Sequence, residues 1–141
     1  MKTKIFTLLL AVAASVGTMF ASDTQVDGIW YDFDTSTKTA SVTYRGSSYS
    51  TYLEYSGSVV IPASVVYNAV TYAITSIGDY AFRECSSLTS IICLGEVPPV
   101  LGSNVFDSVY LTSIYVPCGS LDAYQTAEGW SEYASKIKYE P

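Results

Sequence analysis

Residues 74–93 read ITSIGDYAFRECSSLTSIIC, and a looser copy follows at residues 101–116, LGSNVFDSVYLTSIYV. Ile77-Gly78 answers to Leu101-Gly102 and Ala81-Phe82 to Val105-Phe106, each 24 residues apart. Leu88 answers to Leu111 and Ile91 to Ile114 at a spacing of 23, so the second copy is one residue shorter. Apolar and Gly positions recurring at a period in the twenties are the mark of a solenoid coil. Such a coil cannot bury its apolar side alone and must stack on its neighbours. The chain is therefore expected to be mostly β with minor α.

A third segment joins the pattern. Ser58-Val59-Val60-Ile61-Pro62, Ser90-Ile91-Ile92-Cys93-Leu94 and Ser113-Ile114-Tyr115-Val116-Pro117 align position by position. Three matching strands predict three rungs of parallel sheet about 4.8 Å apart. Strand alternation sends Val59, Ile61, Ile91, Cys93, Ile114 and Val116 inward, and Val60, Ile92 and Tyr115 outward. Stacked in register, the outward residues form an apolar ladder beside a second ladder of Ser58, Ser90 and Ser113. A solvent-facing row of Val, Ile and Tyr marks these six residues as the candidate binding face. The alternative is that the terminal segments fold over it.

Between the first two rungs, residues 65–75 read as a hairpin centred on Asn68-Ala69. Such a turn needs positive φ at both central residues, where Ala69 carries the steric cost of its Cβ. Gly78 and Gly102 are expected to supply backbone angles closed to other residues. Phe82 and Phe106 are the large core fillers, residues 81–84 suggest a brief helical turn, and residues 96–99 form an extended connector.

At the N-terminal side, residues 22–57 read as a β-rich cap. A short polar leader precedes alternating residues 29–33, the turn cluster DTSTK, and alternating residues 40–44, together a β-hairpin. A turn at 45–48 and a third strand at 49–55 complete it. Residues 58–117 hold the coils. Residues 118–141 read as a helical cap: Ser120 N-caps a helix over 121–128, and Asp122 favours its dipole. Leu121, Tyr124 and Ala127 form the buried stripe of that helix. Gly129 ends it, and Trp130, Tyr133 and Ile137 fold back over the last rung. Residues 22–141 make one domain.

Residues 1–21 have the anatomy of a secretory signal peptide: Lys2 and Lys4, an apolar run over 5–14, then small residues to Ala21. An uncleaved membrane anchor is the alternative. No Cys lies near the cleavage region to accept a lipid. The expected location is secreted, cell-surface or periplasmic, without membrane insertion of the mature chain.

Five basic and thirteen acidic residues remain after that leader, a formal charge of −8. This balance repels phosphate backbones and anionic headgroups, which argues against nucleic acid and membrane surfaces as partners. His is absent, so no Ser–His or Cys–His nucleophile is available. Cys85 and Cys93 read as core thiols. A Cys93–Cys118 bridge is conceivable, but the two are out of register by two residues. There is no CxxC pair, and zinc sites are unsupported. Asp27, Asp32 and Asp34 beside Trp30 offer oxygen ligands for calcium, but the run lacks a Gly-punctuated loop and reads better as a solvated strand edge. Tyr44, Tyr49, Tyr52 and Tyr55 could stack on sugars, although aromatic residues on sheets more often serve packing. No metal, cofactor or catalytic site is expected.

Thr75 to Ile91 follows the pattern TSIG-x-x-AF-x-x-C-x-x-L-x-x-I throughout. It resembles the repeat core of the BspA-like leucine-rich-repeat family of bacterial surface and secreted proteins. The opening Ile29-Trp30-Tyr31 and the ending Val116-Pro117-Cys118-Gly119-Ser120 with Tyr124, Gly129 and Trp130 resemble family termini. The resemblance implies a short leucine-rich-repeat solenoid of about two to three coils, between an N-terminal β-hairpin cap and a C-terminal helical cap. Members typically carry longer arrays, and their motifs specify packing positions rather than binding residues. The implied function is a non-catalytic extracellular binding or adhesion module, with a host extracellular matrix or envelope protein, or a glycan, as partner. A structural or accessory envelope subunit and a small glycan-binding module are the alternatives.

Overall fold

A computed structural model describes residues 24–45 and 55–139. The leader and the strand expected at 49–55, apart from Tyr55, lie outside these residues. The described chain is mostly β: β1 (Thr24–Val26), β2 (Ile29–Asp34), β3 (Thr39–Thr43), β4 (Gly57–Ile61), β5 (Ser64–Tyr67), β6 (Val70–Ile77), β7 (Leu88–Cys93), β8 (Val100–Leu101), β9 (Ser113–Val116) and β10 (Ile137–Tyr139). One short helix, α1 (Leu121–Thr126), and a 3₁₀ segment (Trp130–Lys136) precede β10.

The three aligned segments become neighbours in a parallel sheet ordered β10-β9-β7-β4. Their register is the one the alignment implies: Ser58 beside Ser90 beside Ser113, Val59 beside Ile91 beside Ile114, Val60 beside Ile92 beside Tyr115. Strand β10 adds a fourth parallel member, with Ile137 beside Ile114 and Lys138 beside Tyr115. The second sheet runs β1-β2-β3-β6-β5, with β8 alongside the end of β6. Here Val42, Ile77 and Leu101 lie side by side on the parallel strands β3, β6 and β8. The N-terminal hairpin thus continues this sheet through β3.

Between the sheets, the turn after β6 stacks on the turn after β8. The amides of Tyr80, Phe82 and Glu84 donate across to the carbonyls of Ser103, Val105 and Asp107. The intervening amides of Ala81, Arg83 and Cys85 donate within the turn to Gly78, Tyr80 and Phe82. This alternation satisfies the backbone in two directions. It also replaces the helical turn expected at 81–84, because an α-helix directs every amide along its own axis.

The glycine expectation is corrected as well. Gly78 and Gly102 are absent from the left-handed region, whereas Tyr80 (φ 62°), Glu84 (φ 61°), Asn104 (φ 54°) and Ser108 (φ 61°) occupy it. What Gly102 supplies is room: a Cβ there would lie 2.7 Å from the backbone nitrogen of Asp79. The hairpin β5–β6 turns on Asn68 (φ 51°) and Ala69 (φ 63°), both left-handed as a two-residue turn requires.

The core fills the space between the sheets. Val42, Ile77, Phe82, Leu88, Ile91 and Ile114 are fully buried. Aromatic rings run through it as a column. Tyr55 meets the edge of Phe82 at 4.7 Å, Phe82 stacks on Phe106 at 5.6 Å, and Phe106 meets Trp130 at 6.3 Å. Trp130 donates its indole N–H to the Pro99 carbonyl and packs edge-on against Tyr124. Ser120 precedes α1 as expected, but its side chain makes no capping hydrogen bond.

Candidate binding surface

The outward row is positioned by backbone register. Val60 of β4, Ile92 of β7 and Tyr115 of β9 occupy equivalent positions, and their neighbours in sequence on both sides are buried. Val59 and Ile61 flank Val60, Ile91 and Cys93 flank Ile92, and Ile114 and Val116 flank Tyr115; all six are buried. Alternation on a pleated strand then leaves the middle residue facing away from the core. Val60 is 45 % exposed, while Ile92 and Tyr115 are half-buried. Lys138 of β10 extends the row and is exposed. The sequence pattern does not mark β10 as a strand, because the segment is only three residues long. The alternation of buried Ile137 with Lys138 was the signal available.

The serine row behaves differently. Ser58 is exposed, but Ser90 and Ser113 are only 7 % and 8 % exposed. Ser58 and Ser90 share a hydroxyl–hydroxyl hydrogen bond. Strand β4 is the edge of its sheet, whereas Ser90 on β7 lies between Ser58 and Ser113, so the short serine side chains stack against one another along the row. Ser90 and Ser113 are therefore corrected from an open ladder to buried hydroxyls, and the accessible row is Val60, Ile92, Tyr115 and Lys138.

The other sequence-derived candidates are dispersed. Asp32 and Asp34 lie two apart on β2, with Asp32 opposite Ser41 on β3. Desolvation pushes the Asp32 carboxyl up to about 6. Asp34 instead accepts hydrogen bonds from the amides of Ser36 and Thr37 and from the Ser36 hydroxyl, which hold its carboxyl below the usual range. Asp27 sits in the turn between β1 and β2. Among the described residues no group of three His, Cys, Asp or Glu gathers as a metal cluster would.

Tyr55 is a core residue: its hydroxyl donates to the Thr43 carbonyl and accepts from the Trp30 amide. Tyr44 is half-buried, and Tyr49 and Tyr52 lie outside the described residues. All three cysteines are free thiols, with Cys85 and Cys93 buried and Cys118 exposed. Burial pushes the Cys93 thiol up to about 12, far from a reactive thiolate. Among the described residues no helix is long and apolar enough to cross a membrane.

No family model and no curated protein matches the chain. Three solved chains are similar to it. A leucine rich cell surface protein from Faecalibacterium prausnitzii A2-165 is 23 % identical over 66 % of this chain and 23 % of its own, with a TM-score of 0.47. A leucine-rich repeat protein from Bacteroides capillosus is 24 % identical over 67 % of this chain and 70 % of its own, with a TM-score of 0.44. The chain thus spans about a quarter of the length of the first.

Proposed function

We propose that the chain is a short leucine-rich-repeat solenoid acting as a non-catalytic extracellular binding module. Residues 22–57 and 118–141 are read as its terminal caps. The observation that carries this reading is the in-register row Val60–Ile92–Tyr115, an apolar line facing away from a core that does not need it. Repeat architectures present such lines because one outward position per turn is free of packing duty. The absence of His from the sequence and the burial of Cys85 and Cys93 favour binding over nucleophilic chemistry. Four strands span only about 15 Å across the sheet, less than a standard protein interface needs. The partner, a matrix or envelope protein, would therefore also touch the flanking segments.

The test uses purified residues 22–141 against immobilised matrix proteins, envelope extract and a glycan array. Binding to a protein partner that is lost in the Ile92→Lys, Tyr115→Lys double variant supports the reading. Binding that survives the double substitution removes this row from the site. Selective retention on glycans moves the assignment to a carbohydrate module.

A further inference from the structure

The second sheet leaves hydrogen-bonding groups open along one edge strand. In the β5–β6 hairpin, Tyr67 pairs with Val70 across the two-residue turn, Val66 with Thr71, Val65 with Tyr72 and Ser64 with Ala73. In such a hairpin the pair beside the turn exchanges both hydrogen bonds, and the pattern alternates from there. Tyr67 and Val65 therefore bond β6, while the amides and carbonyls of Ser64 and Val66 point to the outer edge. The Ala73 amide confirms the phase, since it donates away from β5 to the Lys38 carbonyl. Strand β5 ends its sheet path, so no further described strand takes up those groups.

Beside this edge lies a groove of about 380 Å³. Its lining brings β5 (Ser64, Val65, Val66) to face Val26, Ile29 and Tyr31 of the β1–β2 hairpin, with Val60 and Pro62 between. The two ends of the curled sheet thus approach one another across an apolar gap. Asp27 is the one charged side chain in the lining, and Val66 is 61 % exposed. Residues 55–78 contain no charged residue at all. Natural sheets guard free edges with shortness, lysine, inward charge or proline on the strand; β5 carries no charge or proline and is limited only by its four-residue length.

We propose that this groove takes an extended peptide segment of a partner protein, which pairs along β5 through the Ser64 and Val66 backbone. The open edge calls for a ligand in strand form, because only an extended backbone presents matching donors and acceptors. The apolar lining selects alternate β-branched or aliphatic side chains. The lone Asp27 carboxylate, on a chain of net negative charge, selects a basic residue over an acidic one at that end. This site shares Val60 with the outward row but needs neither Ile92 nor Tyr115.

The experiment uses two blocked seven-residue peptides of alternating Thr and Val, one ending in Lys and one in Glu, with residues 22–141. Binding is read by amide shifts and hydrogen exchange. The expected result is protection of the Ser64 and Val66 amides, with the Lys peptide bound several-fold tighter. Val66→Pro should weaken binding at least tenfold. Its amide serves no bond within the sheet, so the fold should persist, as an unchanged amide spectrum elsewhere would show. Asp27→Asn should erase the preference for Lys, and Ile92→Lys should change nothing. Absence of protection with either peptide overturns the proposal, as does full binding by Val66→Pro. Concentration-dependent protection without peptide also overturns it, by showing that a second copy fills the edge.

Discussion

The rings of Phe82 and Phe106 stack 5.6 Å apart and within 5° of parallel, although 24 residues separate them in sequence. That relationship turns a sequence period into a physical contact between successive turns. Both side chains are buried, and each touches a further aromatic residue, Tyr55 on one side and Trp130 on the other. Either change to Ala should cost about 3–5 kcal/mol, a large part of the stability of so small a domain. Urea unfolding of the two variants measures this. Near-wild-type midpoints for both would contradict the stacked column.

Ala69 holds φ 63° in the β5–β6 turn, where its Cβ crowds the neighbouring carbonyl. Ala69→Gly should stabilise the domain by about 1 kcal/mol. The gain should appear as a higher urea midpoint with an unchanged slope.

Gly78 and Gly102 occupy equivalent places but differ in their surroundings. A Cβ at Gly102 would crowd Asp79, whose carboxylate accepts the Ser103 amide, while one at Gly78 would rest 3.4 Å from the Val42 carbonyl. Gly102→Ala should therefore cost about 1–3 kcal/mol, and Gly78→Ala less than about 1 kcal/mol. Thermal melts of the pair distinguish a spacing requirement from a dihedral one, for which both would suffer equally.

Asp32 is raised by burial from the ordinary 3.8 to about 6 in the folded protein. The folded state thus favours the protonated carboxyl. Its contribution to stability is fully present below about pH 4 and is lost as pH rises through about 6. Because the carboxyl is part-exposed, the loss should be about 1 kcal/mol after allowance for solvent screening. Asp32→Asn should be more stable than wild type at pH 7 and should flatten the decline between pH 4 and 7. An unchanged pH profile in the variant would place the titration elsewhere.

The parallel sheet was legible because its strands share a sequence pattern: Ser58-Val59-Val60-Ile61 repeats twice more, and shared pattern fixes shared register. The second sheet was less so. Strand β8 is two residues long, too short to show alternation, and β3 meets β6 through Ala40 and Ile74 without any repeated motif. Strand β1 reads in sequence as polar leader, although Asp27-Gly28 is a strong signal for a two-residue hairpin turn. Both residues have positive φ, 49° and 86°. Of the candidate face, the direction of each side chain followed from alternation. Burial of Ser90 and Ser113 did not, since it depends on which side chains pack beside them across the sheet, and alternation gives direction only.

Ile92 and Tyr115 carry the central claim, that the outward row is surface kept free for contact and not core. Thermal unfolding of the Ile92→Lys, Tyr115→Lys double variant tests it most directly. The account predicts a cooperative transition within a few degrees of wild type, because both lysines can extend into water from half-buried positions. A domain that is unfolded at 25 °C, or that has lost the greater part of its stability, would contradict it.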